Sequence, residues 1–139
     1  MFSFDQVQLT LDRTNWKWGK RDINILMLAI VYRGIAIPIV WTLLNKRGNS
    51  DTKERIALIQ RFIAIFGKDR IVIVFADREF IGEQWFTWLI EQDINFCIRV
   101  KKTSLSPIIY ERIKKLVIYF AILKLVKLNV VNDGFWLVG

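Results

Sequence analysis

Two aspartates stand where this sequence could do chemistry. Asp77 directly follows the apolar run IVIVFA at residues 71–76, and Asp12 closes the alternating stretch VQLTL at residues 7–11. A continuous apolar run of the first kind is what a strand covered on both faces looks like. Open α/β sheets bind ligands in the crevice beyond the carboxyl ends of their strands, so an acid placed after such a strand lands where ligands bind. The other reactive residue types are scarce. The 139 residues contain no histidine and a single cysteine, Cys97, which excludes imidazole acid–base work, histidine-ligated zinc and multi-thiolate metal sites. Catalysis is left to carboxylates, hydroxyls, Lys and Arg. We expect Asp12 and Asp77 to lie side by side and hold a divalent metal for chemistry on DNA. The competing reading is structural: Asp12 caps a turn and Asp77 caps a following helix, as Asp between a strand and a helix commonly does.

Charge points weakly the same way. The net charge is +8, but residues 1–98 carry 13 basic and 11 acidic side chains, whereas residues 99–139 carry 8 and 2. The basic excess is thus mostly C-terminal. Near Asp12, however, Arg13, Lys17, Lys20 and Arg21 interleave with Trp16 and Trp18, a pattern that suits a surface tracking a nucleic-acid backbone with base or sugar stacking. The alternative is a loop whose tryptophans anchor it to the core. Arg78, next to Asp77, is a further candidate for a DNA phosphate or a brace for its loop. Residues 1–4 lack both a basic and an apolar leader region, so no secretory signal is expected. The lone cysteine fits a reducing, cytoplasmic setting and reads as a small buried hydrophobe.

The elements that position the aspartates follow from periodicity. Residues 23–44 are apolar and long enough to span a bilayer, and the mean hydropathy of +0.29 encourages that reading. Arg33 in the middle costs about 2.5–3.5 kcal/mol on insertion scales, and Arg33-Gly34 suits a tight turn. Two antiparallel strands at 25–32 and 36–44 are expected instead, with Pro38 at an edge or a bulge. Asp51-x-x-Glu54 has the form of a capping box. Ile56, Ile59, Ile63 and Phe66 form one apolar stripe, and Gly67 ends the helix. A strand at 71–75, a helix at 82–92 burying Trp85, Trp88 and Leu89, and a strand at 95–100 complete a crossover unit. Three antiparallel strands followed by parallel crossovers give an α/β, ribonuclease-H-like sheet with helices on its faces, in which the first and fourth strands are neighbours.

The residues around both acids resemble bacterial insertion-sequence transposases of the DDE type, the group with a D-R-E-F segment and a later Y-R-E-K signature. The resemblance rests on LTLDRTNW around Asp12, FADREFIG around Asp77, the segment WTLLNKRGNSDTKERIALIQRF and the run INFCIRVKK ending at Lys102. It implies DNA transposition by Mg²⁺-dependent phosphoryl transfer, with Asp12 and Asp77 as two of three catalytic acids. It also implies transposon ends and target DNA as partners, and association with a second copy or a full-length transposase. No membrane partner is expected.

The third acid of that group lies farther on, within a spaced Tyr, Arg, Glu, Lys pattern. Tyr110-Glu111-Arg112 departs from it, since Ile113 stands where Arg is required. Residues 1–102 are therefore expected to form a partial catalytic domain and residues 103–139 a divergent basic, apolar tail, the chain being a fragment that is inactive alone. Two other classes remain open at this point: a non-catalytic DNA-binding remnant that interferes with a transposase, and a small membrane-associated protein built on residues 23–44 and the C-terminal apolar segment.

Overall fold

Alternation of branched or aromatic with polar residues builds the first sheet. The computed structural model describes residues 5–101, 127–131 and 134–138. Strand β1 (Val7–Trp18) pairs antiparallel with β2 (Arg21–Tyr32), and β2 with β3 (Ile35–Leu44). Residues 23–44, the stretch long enough for a membrane span, are thus mostly a hairpin. No helix among the described residues is long and apolar enough to cross a membrane. The hairpin turns at Arg33 (φ 49°) and Gly34 (φ 79°). Positive φ at both central residues is the type I′ pattern, whose twist matches that of the flanking strands. Pro38 lies on β3 where the register shifts by one residue opposite Leu28 and Ala29. A bulge tolerates the missing donor.

β1 runs six residues beyond the expected end at Asp12. Its ladder with β2 continues through Thr14↔Ile25 and Trp16↔Ile23 to Trp18↔Arg21, because Thr and Trp opposite Ile are favourable cross-strand pairs. The basic and aromatic stretch is therefore strand, not loop.

The chain forms two compact units, Met1–Phe75 and Ala76–Gly139. In the first, the strand order is β3-β2-β1-β4, with β4 spanning Ile71–Ala76. The first and fourth strands are neighbours, as the topology required. One face of this sheet is buried through Leu9 and Leu11 of β1, Leu26 and Leu28 of β2, and Val40 and Leu44 of β3. Helix α1 (Thr52–Phe66) contacts β2 and β3 and buries Leu58, Ile59 and Phe62. The expected stripe of Ile56, Ile59, Ile63 and Phe66 is thereby corrected. Only Ile59 is fully buried; Ile56 and Ile63 are partly covered and Phe66 is exposed. Two apolar stripes overlap on this helix, and the one that is buried begins at a cation. Arg55 is buried, its Nε donating to Ser50 Oγ at 3.0 Å and its Nη2 to the Ser50 carbonyl at 2.7 Å.

The capping box is formed. Glu54 N–H donates to Asp51 Oδ1 at 2.9 Å, and Asp51 N–H donates to Glu54 Oε2 at 2.7 Å. Lys46 Nζ reaches Asp51 Oδ2 at 3.0 Å and Glu54 Oε2 at 2.8 Å. The Glu54 amide, and after it the Lys46 ammonium, hold the Asp51 carboxyl below the usual aspartate range. A folded-state value below the unfolded one means this stabilisation is present above about pH 4 and is lost as the pH falls through the lower, folded value. Asp51→Ala is expected to destabilise the first unit by about 1 kcal/mol at neutral pH. Denaturant unfolding at pH 7 and pH 3 checks this, since the difference between variant and wild type must shrink in acid.

In the second unit, a 3-10 turn (Arg78–Phe80) leads to α2 (Glu83–Glu91) and β5 (Phe96–Lys101). Helix α2 buries Trp85, Phe86 and Leu89, and Trp88 is half-buried against Trp85 with ring centroids 5.8 Å apart. Phe86 was not among the expected core residues. Its ring stacks on Phe96 of β5 at 5.3 Å, and so ties helix to strand. β6 (Lys127–Val131) and β7 (Gly134–Val138) form an antiparallel hairpin, and β7 also pairs with β5. They flank the turn signal at residues 132–134, of which 132 and 133 lie outside the described residues, as do Tyr110, Glu111 and Arg112.

Candidate active site

Alternation along β1 places Asp12 and Arg13 on opposite faces of the sheet. Arg13 shares the face of buried Leu9 and Leu11, whereas Asp12 is exposed on the other, opposite Met27 of β2. Asp12 Oδ1 accepts the Arg13 backbone N–H at 2.7 Å, which fixes one carboxylate oxygen and leaves the other with no hydrogen-bond partner among the described residues. Asp12 therefore caps no turn; it sits within a twelve-residue strand.

Asp77 follows the last residue of β4 and is exposed. It repeats the arrangement of Asp12: its Oδ1 accepts the Arg78 backbone N–H at 2.7 Å. Asp77 is the N-cap of the 3-10 turn, its carbonyl accepting from Phe80 N–H at 3.0 Å, whereas the expected helix is capped not by Asp77 but at Gly82. Capping and metal binding are compatible, because the cap uses one oxygen. Phe80, fully buried, pins the turn.

The basic candidates divide. Arg13 is a brace: its Nη1 donates to Asn15 Oδ1 at 2.8 Å and Asn24 Oδ1 at 3.3 Å, and its Nη2 to Asn49 Oδ1 at 3.3 Å. Asn24, buried within β2, in turn donates to the carbonyls of Lys46 at 3.1 Å and Gly48 at 2.9 Å. This polar knot ties β1, β2 and the loop before α1 together. The sequence reading missed Asn24, although a lone amide at the start of an apolar strand was the signal. Lys17 and Lys20 are exposed near the end of β1 and in its turn, and Arg78 is exposed in the 3-10 turn. Trp16 and Trp18 are 63% and 77% exposed, so they do not anchor a loop to the core.

Each exposed carboxylate, with one oxygen held by the next residue's backbone N–H, offers anionic oxygen of the kind Mg²⁺ prefers. Burial pushes the Cys97 thiol up, which keeps it protonated and a poor ligand. Among the described residues no group of three or more His, Cys, Asp or Glu could hold a metal ion.

Residues 3–122 match the family of transposase DDE domains, running on past Lys102, where the resemblance carried by the motifs ends. No curated protein matches the chain in sequence. Among solved structures, the chain is similar to the HTLV-2 integrase catalytic core domain in complex with magnesium, in its dimeric form, with a TM-score of 0.52 and 14% identity over 86% of this chain and 74% of that one. It is similar also to a chain of the simian T-cell lymphotropic virus intasome, with a TM-score of 0.54 and 13% identity over 84% of this chain and 40% of that one. At these identities the likeness is one of fold: a ribonuclease-H-like mixed sheet with helices.

Proposed function

This chain belongs to the transposase DDE domain family, and we propose that Asp12 and Asp77 are its catalytic carboxylates in DNA strand cleavage and transfer. The observation that supports this most directly is topological. β1 and β4 are adjacent in the strand order, Asp12 lies on β1, and Asp77 is the residue after β4. Both carboxylates are exposed and backbone-tethered, and they would hold Mg²⁺ or Mn²⁺. When bound there, the cation would supply Lewis-acid stabilisation of an in-line phosphoryl transfer. The chain's own residues do the rest. Arg13, through Asn24 and Asn49, locks the strand that carries Asp12. The Arg78 amide and buried Phe80 fix the turn that carries Asp77. Lys17 and Lys20 present positive charge to DNA phosphates, and the exposed Arg78 guanidinium adds to it. The partners are transposon ends and target DNA, with a second copy or a full-length transposase as the assembly partner.

Two carboxylates suffice for one cation. The sequence carries no third acid in the spaced Tyr, Arg, Glu, Lys pattern, so a second cation lacks its main anionic ligand. The 139-residue chain alone is therefore expected to give little or no end nicking or strand transfer on terminal-repeat DNA with Mg²⁺ or Mn²⁺. Robust activity that disappears in Asp77→Asn would show that the chain does contain a third ligand. Salt-sensitive DNA binding with no cleavage in either ion is the expected companion result.

A further inference from the structure

The β1–β2 hairpin ends in a feature that neither the carboxylates nor the core uses. Trp16 and Trp18 lie two residues apart on β1, hence on one face of the strand, and they are among the most exposed large apolar side chains of the described residues. Neither makes a ring contact there. Exposed tryptophan at 63% and 77% leaves a large apolar surface in water at a cost, and core packing does not account for it. Arg21 is the cross-strand partner of Trp18 and so faces the same way. Lys20 occupies the two-residue turn with Gly19, whose φ of 59° is the left-handed value a tight hairpin turn draws on. Lys17, Lys20 and Arg21 form no ion pair among the described residues. The tip's one acid, Asp22, is neutralised by Arg47 at 2.9 Å.

From this juxtaposition we propose that the hairpin tip is a binding site for unpaired DNA, in which Trp16 and Trp18 stack on exposed bases while Lys20 and Arg21 hold the adjoining phosphates. The spacing is suited to it. Residues two apart on a strand are separated by roughly 6.7 Å, about twice the 3.4 Å step between stacked bases. Stacking surfaces of this kind tolerate any base, because every base has a π-face. Charge complementarity selects a polyanion over an apolar protein partner, since two uncompensated cations, Lys20 and Arg21, adjoin the two rings, while Lys17 lies on the opposite face of the strand. The proposal rests on the reading that this chain acts on DNA. It assigns to the tip a role separate from Asp12 and Asp77: holding strands that are frayed or opened, as opposed to paired duplex.

The test is fluorescence anisotropy of the full chain with labelled oligothymidylate, blunt duplex and duplex carrying frayed ends. The wild type is expected to bind oligothymidylate and frayed ends more tightly than blunt duplex. Trp16→Ala/Trp18→Ala is expected to lose about tenfold or more on the first two, the scale of one stacked base, with little change on blunt duplex. Trp16→Phe/Trp18→Phe keeps strand propensity and a ring, and should recover most of the loss, so a folding defect in the alanine variant cannot mimic the result. Asp12→Asn/Asp77→Asn should bind oligothymidylate like the wild type, which separates failure of the metal reading from failure of this one. Unchanged oligothymidylate binding by the alanine variant overturns the proposal, as does an equal loss on blunt duplex. So does a change from dimer to monomer in sedimentation with unchanged DNA affinity, which would make the tip a contact between copies.

Discussion

Replacing either Asp12 or Asp77 by asparagine is expected to weaken Mn²⁺ binding by the chain at least about 100-fold. The substitution is nearly isosteric, and asparagine keeps a carbonyl oxygen to accept the 2.7 Å bond from the next backbone N–H. Local structure is thereby preserved while the negative charge is removed. Loss of an outer-shell partner costs about 10–100-fold in metal affinity, so loss of a direct anionic ligand should reach the top of that range. Manganese titration followed by electron paramagnetic resonance provides the readout, with Glu83→Gln, an exposed acid of α2, as the control expected to change nothing. The two variants must behave alike. Mn²⁺ binding that survives in either one defeats the idea of a shared cation, whatever the chain does to DNA.

The second large effect concerns the core of the second unit. Trp85→Ala is expected to destabilise the chain by about 3–5 kcal/mol, because Trp85 is fully buried in α2 and stacked on Trp88. The loss combines the transfer free energy of the ring with a cavity that neighbouring side chains fill only partly. Trp85 Nε1 has no hydrogen-bond partner among the described residues. An unsatisfied buried donor costs about 1–3 kcal/mol, so Trp85→Phe removes that penalty while keeping most of the apolar surface. The phenylalanine variant should fall much closer to wild type than the alanine variant. Denaturant unfolding ranks the three proteins, and a phenylalanine variant as unstable as alanine would mean that the indole N–H does have a partner.

The sequence was most informative where backbone chemistry leaves little choice. Arg33-Gly34, Pro38, Asp51-x-x-Glu54 and Gly67 each announce a turn, a bulge or a helix end through steric or hydrogen-bonding constraints that hold in any fold, and each stands where expected. Where burial decides, the sequence was ambiguous. The α1 stripe centred on Leu58, Ile59 and Phe62 was hidden because Arg55 looks like a surface residue until Ser50 satisfies its guanidinium. The full length of β1 was hidden because basic residues between tryptophans read as loop, whereas cross-strand isoleucines extend the ladder. The hairpin of β6 and β7 lies just beyond a long basic and apolar stretch with no clear apolar face, and only its turn signal stood out. At the candidate site, the two acids were legible from the runs before them. The brace of Asn24 and Asn49 behind Arg13 was not, since it joins residues far apart in the chain.

Strand parity gives the Asp12-Arg13 pair an unusual sensitivity. The two residues point away from each other, and the tight two-residue connection at Gly19 and Lys20 sets which of them looks outward. Adding or deleting one residue there would exchange their sides, turning the Asp12 carboxylate toward the face of Leu9 and Leu11 and the Arg13 guanidinium toward solvent. The length of this connection is therefore as constrained as the residues at its tip.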